Sequence, residues 1–342
     1  VIVPAAYAVL VAVSLRPNVA AAGPRDAARP RVADANDERR SRDVERDAQG
    51  IAAGPDGALW FAEYGANAIG RVATDGKRSE FPLPATEFCG AESIAAGRDG
   101  ALWFTEYVAA QIGRITTSGA LSEYRVPSGA SPWGIAAGSD GAMWFTEYEG
   151  ENVGRVANDG TVTEYPLPAG SNSFAIAAGS DGALWFTERD DKIGRIATDG
   201  TVREFAVPSG GESYAIAAGP DRAMWFTEFG STRVGRIDPH GRVTEYEVPG
   251  EGEFEAIAAG PDGALWFTSY AGGTIGRLTT HARYSTYPAP RGDLNRNPFG
   301  LAAGPDRGVW FTNDAGATIG RVAARYGASE KSIVIPAFRK PK

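Results

Sequence analysis

From Gly50 onward, hydrophobic and polar positions alternate in short runs, each closed within a few residues by Gly, Pro, Asp or Ser. Period-two alternation between turn residues is the mark of half-buried strands, and no apolar stripe of helical period competes with it. The stretch Phe174–Gly210 shows the unit. Ile176-Ala177-Ala178-Gly179 reads as a short inner strand whose alanines let strands crowd around an axis, and Ser180-Asp181-Gly182 turns it. Ala183 to Glu188 alternates as a second strand, Lys192 to Ala197 as a third, and Thr198-Asp199-Gly200 turns that one. Thr201 to Phe205 is an outer, more polar fourth strand, ended at Pro208.

The unit recurs. Tryptophans stand at 60, 103, 144, 185, 225, 266 and 310, separated by 43, 41, 41, 40, 41 and 44 residues. Seven periods of this length, each holding four short strands, predict an all-β fold: a seven-bladed β-propeller with four-stranded antiparallel blades. Helical solenoids of similar period fail on the Gly-, Thr- and aromatic-rich content of each unit. A Trp packed between blades removes roughly 150–250 Å² from water, an upper bound of about 4–6 kcal/mol. The Gly-Arg pair at 70–71, repeated in every unit to 320–321, predicts a frame arginine bound to a carboxylate of its own or the next blade. The segment Ser332–Pro336 is expected to supply the fourth strand of blade seven, leaving every blade contiguous in sequence.

Composition adds boundaries. Residues 1–22 carry an apolar run ending in small residues, as a signal peptide would, although Arg16 follows the run instead of preceding it. The run is too short to span a bilayer comfortably. Residues 23–48 are rich in Arg, Asp, Glu, Ala and Pro and predict a disordered charged linker, with the propeller over 49–342. A secreted or periplasmic location is expected, with a cytoplasmic one as the alternative. The net charge of −8 argues against a nucleic-acid surface, and the single cysteine, Cys89, excludes an internal disulfide and a Cys-rich zinc site. Cys89 reads as a small buried residue, and a monomer is expected.

Function is sought where the repeat varies. The inner and second strands form a hairpin, so the residue before each Gly/Ala-Ile lies beside the residues three and four past the Trp. The first set reads Gln49, Glu92, Trp133, Phe174, Tyr214, Glu255 and Phe299; the fourth-past-Trp set reads Tyr64, Tyr107, Tyr148, Arg189, Phe229, Tyr270 and Asp314. Together they predict an aromatic mouth with a few charges, suited to a small ligand or peptide. The third-past-Trp position is Glu in blades one to five, then Ser269 and Asn313. Loops 85–91 and 288–298 rim the same face, the second carrying Arg291, Asp293, Asn295, Arg296 and Asn297. Glu253, Glu255 and Asp314 are candidate oxygen ligands for Mg²⁺ or Ca²⁺, or solvated carboxylates at the mouth. No Ser-His-Asp set, phosphate loop or paired Cys/His motif is present.

The run Gly134-Ile135, Asp140-Gly141-Ala142-Met143-Trp144-Phe145-Thr146-Glu147, Val153-Gly154-Arg155 and Glu164-Tyr165-Pro166-Leu167-Pro168 resembles the virginiamycin B lyase (streptogramin lyase) family. The likeness covers residues 49 to about 340 in all seven repeats. It implies a Mg²⁺-dependent enzyme that linearises a cyclic depsipeptide antibiotic at its ester by elimination. Such chemistry needs a base for a Cα proton, an acid for the leaving oxygen and a cation for the developing charge. The two family histidines precede the Gly/Ala-Ile of blades six and seven; those positions are Glu255 and Phe299 in this chain. The family's acidic residue four past the blade-seven Trp corresponds to Asp314. His240 and His281 follow the third strands of blades five and six, at turn positions filled elsewhere by Asp75, Ser118, Asp159 and Asp199.

Two classes of function follow. As an enzyme, Glu255 and Asp314 are the catalytic and metal-binding candidates, with Trp133, Tyr148, Phe174, Tyr214, Tyr270, Phe299 and Asn313 contacting substrate. As a binding protein, the same aromatic mouth holds a small ligand, peptide or cell-wall fragment without turnover. A propeller face that engages another protein is a third possibility.

Overall fold

A computed structural model describes residues 48–84, 88–148, 150–289, 297–313, 318–323 and 333–334. The chain divides into two units, Val1–Val32 and Ala33–Lys342, and the first lies wholly outside the described residues. So do the expected signal peptide and all of the expected linker except Ala48, which opens the first strand.

The described residues form twenty-eight strands and no helix, so none is long and apolar enough to cross a membrane. They build the predicted seven-bladed propeller. Blades one to five occupy 48–82, 91–125, 131–166, 173–206 and 212–247, each a four-stranded antiparallel sheet in chain order. Blade six spans 257–288 and blade seven 298–323, the latter with three strands among the described residues. The expectation for Ser332–Pro336 is corrected. Its described part, Ile333–Val334, pairs with the outer strand of blade six, Val334 opposite Arg283 and Ile333 opposite Tyr284. The open edge of that strand offers unpaired backbone groups that a short apolar segment can satisfy.

Blade three shows why the repeat folds as it does. Its strands are Ser131–Ala137, Met143–Tyr148, Asn152–Val156 and Val162–Pro166. Phe145 and Gly154 are cross-strand partners, and a Cβ on Gly154 would collide with the Phe145 ring. Glycine is therefore required in the Gly-Arg pair, because the Phe before it in register lies flat across that position. Trp144 stacks on Tyr165 of its own outer strand, with ring centroids 5.2 Å apart. It also packs on Ile176, Leu184 and Phe186 of blade four. The seven repeat tryptophans are all buried. The last of them, Trp310, packs on Ile51, Leu59 and Phe61 of blade one and so closes the ring.

The frame arginine finds its carboxylate within its own blade. In blade three, Asp140 of the first hairpin accepts from Trp144 Nε1 at 3.1 Å and from Arg155 Nε at 2.7 Å. The same Asp–Trp–Arg triad recurs in every blade, down to Asp306, Trp310 and Arg321. Burial opposes ionisation of these aspartates, but the Trp and Arg hydrogen bonds outweigh it and hold each carboxyl below its usual range. We call this face the turn end. His240 and His281 lie exposed at this end, His240 in the turn made by Asp238 and Gly241.

Candidate functional site

The opposite face, the loop end, gathers the positions that vary. In six blades the register of the inner strand slips by a bulge at the variable position, as between Ser173 and Ile176 around Phe174. A bulge turns a side chain out of the regular alternation and is a common way to aim residues at a site. In blade six the inner strand begins only at Ile257, and Glu255 stands just before it.

A threonine two past the Trp in six of the seven blades fixes these positions, a role that sequence reasoning missed. Thr146 Oγ1 accepts the N–H of Gly134 and donates to the carbonyl of Phe174 in the next blade. Thr105, Thr187, Thr268 and Thr312 donate in the same way to the carbonyls of Trp133, Tyr214, Phe299 and Gln49, at 2.7–2.9 Å. The signal was present in the repeat: Thr recurs in six units, with Ala62 the exception.

The loop end has two unlike sectors. In blades two to five, Trp133, Phe174 and Tyr214 are buried against one another and flanked by Tyr107, Tyr148 and Phe229. Ring centroids lie 5.2–5.4 Å apart along Tyr107–Trp133–Phe174–Tyr214–Phe229, and Tyr148 bridges Trp133 and Phe174 at 5.6 and 5.3 Å. The expected mouth is thus a continuous aromatic wall. Arg189 spans it: its guanidinium lies 5.6 Å from the Phe174 ring centre, Nη1 donates to Tyr148 Oη at 3.3 Å, and Nε faces Glu212 at 3.6 Å.

Blades six, seven and one are more polar. Glu255 is buried, as are Ser269 and Gln49, and Glu92 of blade two is buried beside Gln49's blade. Ser269 donates to the carbonyl of Glu251 at 2.8 Å, and Tyr270 N–H donates to that of Glu253, whose φ is +63°. Asn313 Oδ1 accepts from Asn297 N–H at 2.8 Å. Phe299 and Tyr270 are half-buried and belong to this sector, outside the aromatic cluster of blades two to five. Asp314 lies outside the described residues, as do Arg291, Asp293, Asn295 and Arg296. Among the described residues no three His, Cys, Asp or Glu side chains converge as a metal site.

Behind the wall lies a further group that sequence reasoning took only as structural. Glu106, Glu147, Glu188 and Glu228, third past their tryptophans, are fully buried. Burial, with a second glutamate of the outer strand close by, pushes them up to about 8, 7, 7 and 8 respectively. Cys89 is buried as expected, its thiol donating to Asn67 Oδ1 at 2.6 Å; burial and nearby Glu106 push it up to about 12, so it stays protonated.

A model of the Virginiamycin B lyase family matches residues 36–211 and 170–339. The chain belongs to the virginiamycin B lyase family. The similarity extends to solved structures: a streptogramin B lyase structure is 34% identical with a TM-score of 0.76, covering 82% of this chain and 96% of that one. The virginiamycin B lyase of Staphylococcus aureus is 37% identical with a TM-score of 0.76, covering 81% and 94% of the two chains. A catalytically inactive variant of that enzyme has been solved with quinupristin, at 36% identity and the same TM-score of 0.76. A virginiamycin B lyase of Bordetella parapertussis shares 58% identity over 38 residues, a stretch that spans 11% of this chain and only 13% of that protein.

Proposed function

We propose that the loop end binds an ester-containing cyclic depsipeptide and opens its ring by elimination. One observation carries this reading. A ring of equivalent, bulge-borne positions divides into an aromatic sector that can hold apolar side groups and a polar sector with the buried carboxylate Glu255, in a chain of this family. An evenly repeated propeller has no such division.

In the proposed reaction Glu255 takes the proton from the carbon next to the ester-bearing carbon. The C–H electrons form the new double bond, the adjacent C–O bond breaks, and its electrons leave on the freed carboxylate. Glu255 suits this role by its place, a carboxylate in the polar sector of the loop end. The oxygen donors of this sector are of the kind a hard cation prefers. One carboxylate cannot serve fully as both base and ligand, so Asp314 is assigned to Mg²⁺ and Glu255 to the proton. When bound, Mg²⁺ would neutralise charge that develops on the substrate carbonyl. The aromatic wall fixes the ring by contact with apolar groups, and Arg189 keeps Tyr148 and Phe174 in place.

The test is incubation with a virginiamycin B-type depsipeptide, with and without Mg²⁺, followed by chromatography and mass spectrometry. Elimination gives a linear product of unchanged mass, whereas hydrolysis adds one water. Binding without any ring opening would overturn the enzymatic reading and leave a ligand-binding propeller.

A further inference from the structure

Two of the buried glutamates sit in an arrangement that a structural role alone does not account for. Val126-Pro127-Ser128-Gly129 and Val207-Pro208-Ser209-Gly210 are the same motif, and each stands five residues before a wall residue, Trp133 or Tyr214. In the first, Ser128 N–H donates to Glu164 at 2.8 Å and Ser128 Oγ donates to Glu147 Oε2, also at 2.8 Å. In the second, Ser209 N–H donates to Glu245 at 3.2 Å and Ser209 Oγ to Glu228 Oε2 at 3.0 Å. One serine therefore clasps two carboxyl groups from the second and fourth strands of the next blade. Yet Oε1 of Glu147 and Oε1 of Glu228 are buried with no hydrogen-bond donor among the described residues. A carboxylate oxygen in that position is costly unless it carries or receives a proton.

The other groups facing these pairs leave a proton as the economical solution. Asn152 Nδ2 donates to Glu147 Oε2 at 3.0 Å, and among the described residues no cation is a partner of that pair. Around Glu228 the charged neighbours are Glu245 and Arg233, whose Nη1 is 3.7 Å from Oε2. Blade four differs. There a cation joins the pair: Lys192 Nζ donates to Glu204 at 2.9 Å, and Ser171, which donates to Glu204 at 3.2 Å, also hydrogen-bonds Glu188.

We propose that the pairs Glu147–Glu164 and Glu228–Glu245 each hold one shared proton that latches the Ser128 and Ser209 loops. Losing it places two anions together, parts the clasp and frees the loops that carry Trp133 and Tyr214. Binding on the aromatic wall is thereby coupled to proton uptake. Burial and the neighbouring glutamate set the release near neutrality, about 7 for Glu147 and about 8 for Glu228. The latch operates whether or not the site opens an ester.

Hydrogen exchange of the full chain, read by mass spectrometry and corrected for intrinsic rates, tests this without a ligand. Between about pH 6 and pH 9, protection in 126–134 and 207–215 is expected to fall by up to about tenfold per pH unit once past release, while the equivalent loop 168–175 changes less. The double variant Glu147→Gln, Glu228→Gln, which keeps a neutral side chain that can donate, is expected to hold its protection at about pH 9. If that variant folds poorly, Glu164→Gln with Glu245→Gln serves the same purpose from the other side of each clasp. Loop protection indifferent to pH in the wild type would overturn the proposal. So would an unchanged pH response in both variant pairs, or protection restored at high pH by added Ca²⁺ or K⁺.

Discussion

At the turn end the same three side chains, Asp, Trp and Arg, meet seven times with hydrogen bonds of 2.6–3.2 Å. At the loop end the equivalent positions read Gln, Glu, Trp, Phe, Tyr, Glu and Phe, and the backbone bulges to present them. At the first face each triad makes its hydrogen bonds within its own blade, and Ser139 and Ser180 add bonds to the Gly182 and Arg222 carbonyls of the next. The hydrogen bonds of the second face run between blades, through the threonine bridges and the serine clasps. One end stabilises a ring; the other spends part of that stability on unlike residues, bulges and buried acids.

The largest expected effect breaks the first half of that contrast. Trp144→Ala should cost about 3–5 kcal/mol of stability by chemical denaturation, because it empties an interface between blades and removes one of the donors to Asp140. Trp133→Ala, at the loop end, should abolish depsipeptide binding while costing less stability than Trp144→Ala, since it is 9% exposed where Trp144 is fully buried. Equal losses in both properties for the two variants would erase the distinction between the ends.

A second effect tests the bridges. Thr146→Val should cost about 1–3 kcal/mol, because it leaves the Gly134 N–H and the Phe174 carbonyl buried without their shared partner. It should also loosen ligand binding, since Phe174 is a wall residue. An unchanged melting temperature would mean that the bridge carries nothing.

The third and smallest effect per residue is a pH dependence of opposite sign at the two ends. The turn-end aspartates lie below their usual 3.8, so they add stability above that value that is lost as pH falls through their folded values. The buried glutamates lie above their usual 4.5, so their contribution is full below 4.5 and is lost as pH rises to about 7–8. Melting temperature should therefore peak on the acid side of neutrality and level off above about pH 8. Glu106→Gln should raise it at about pH 9 and leave it nearly unchanged at about pH 5. A curve that rises from pH 5 to pH 8 contradicts this assignment.

Much of the ring was legible because repetition multiplies weak signals. Seven tryptophans at one spacing, Gly-Arg pairs and Asp-Gly turns all require the same local geometry, and the structure uses each as expected. The hairpin pairing followed from the alternation, so the variable positions were found at the right end; the bulges did not, because a bulge interrupts that alternation. The aromatic wall was legible as a set but not as a cluster, because which rings touch depends on blade order around the axis. Tyr270 and Phe299 fall in the polar sector for that reason. The pairing of Ile333–Val334 with blade six could not be read from a short apolar run, which suits any open edge. The buried glutamates were seen as repeated, and so taken as structural; their raised values come first from burial and then from outer-strand neighbours such as Glu164 and Glu245, and both depend on the folded blade.

The sharpest measurement is on Glu255, the buried carboxylate of the polar sector. For Glu255→Gln the account predicts that a virginiamycin B-type depsipeptide still binds, with affinity close to that of the unaltered protein, and that its ring stays closed. Ring opening at the unaltered rate in that variant would contradict the account.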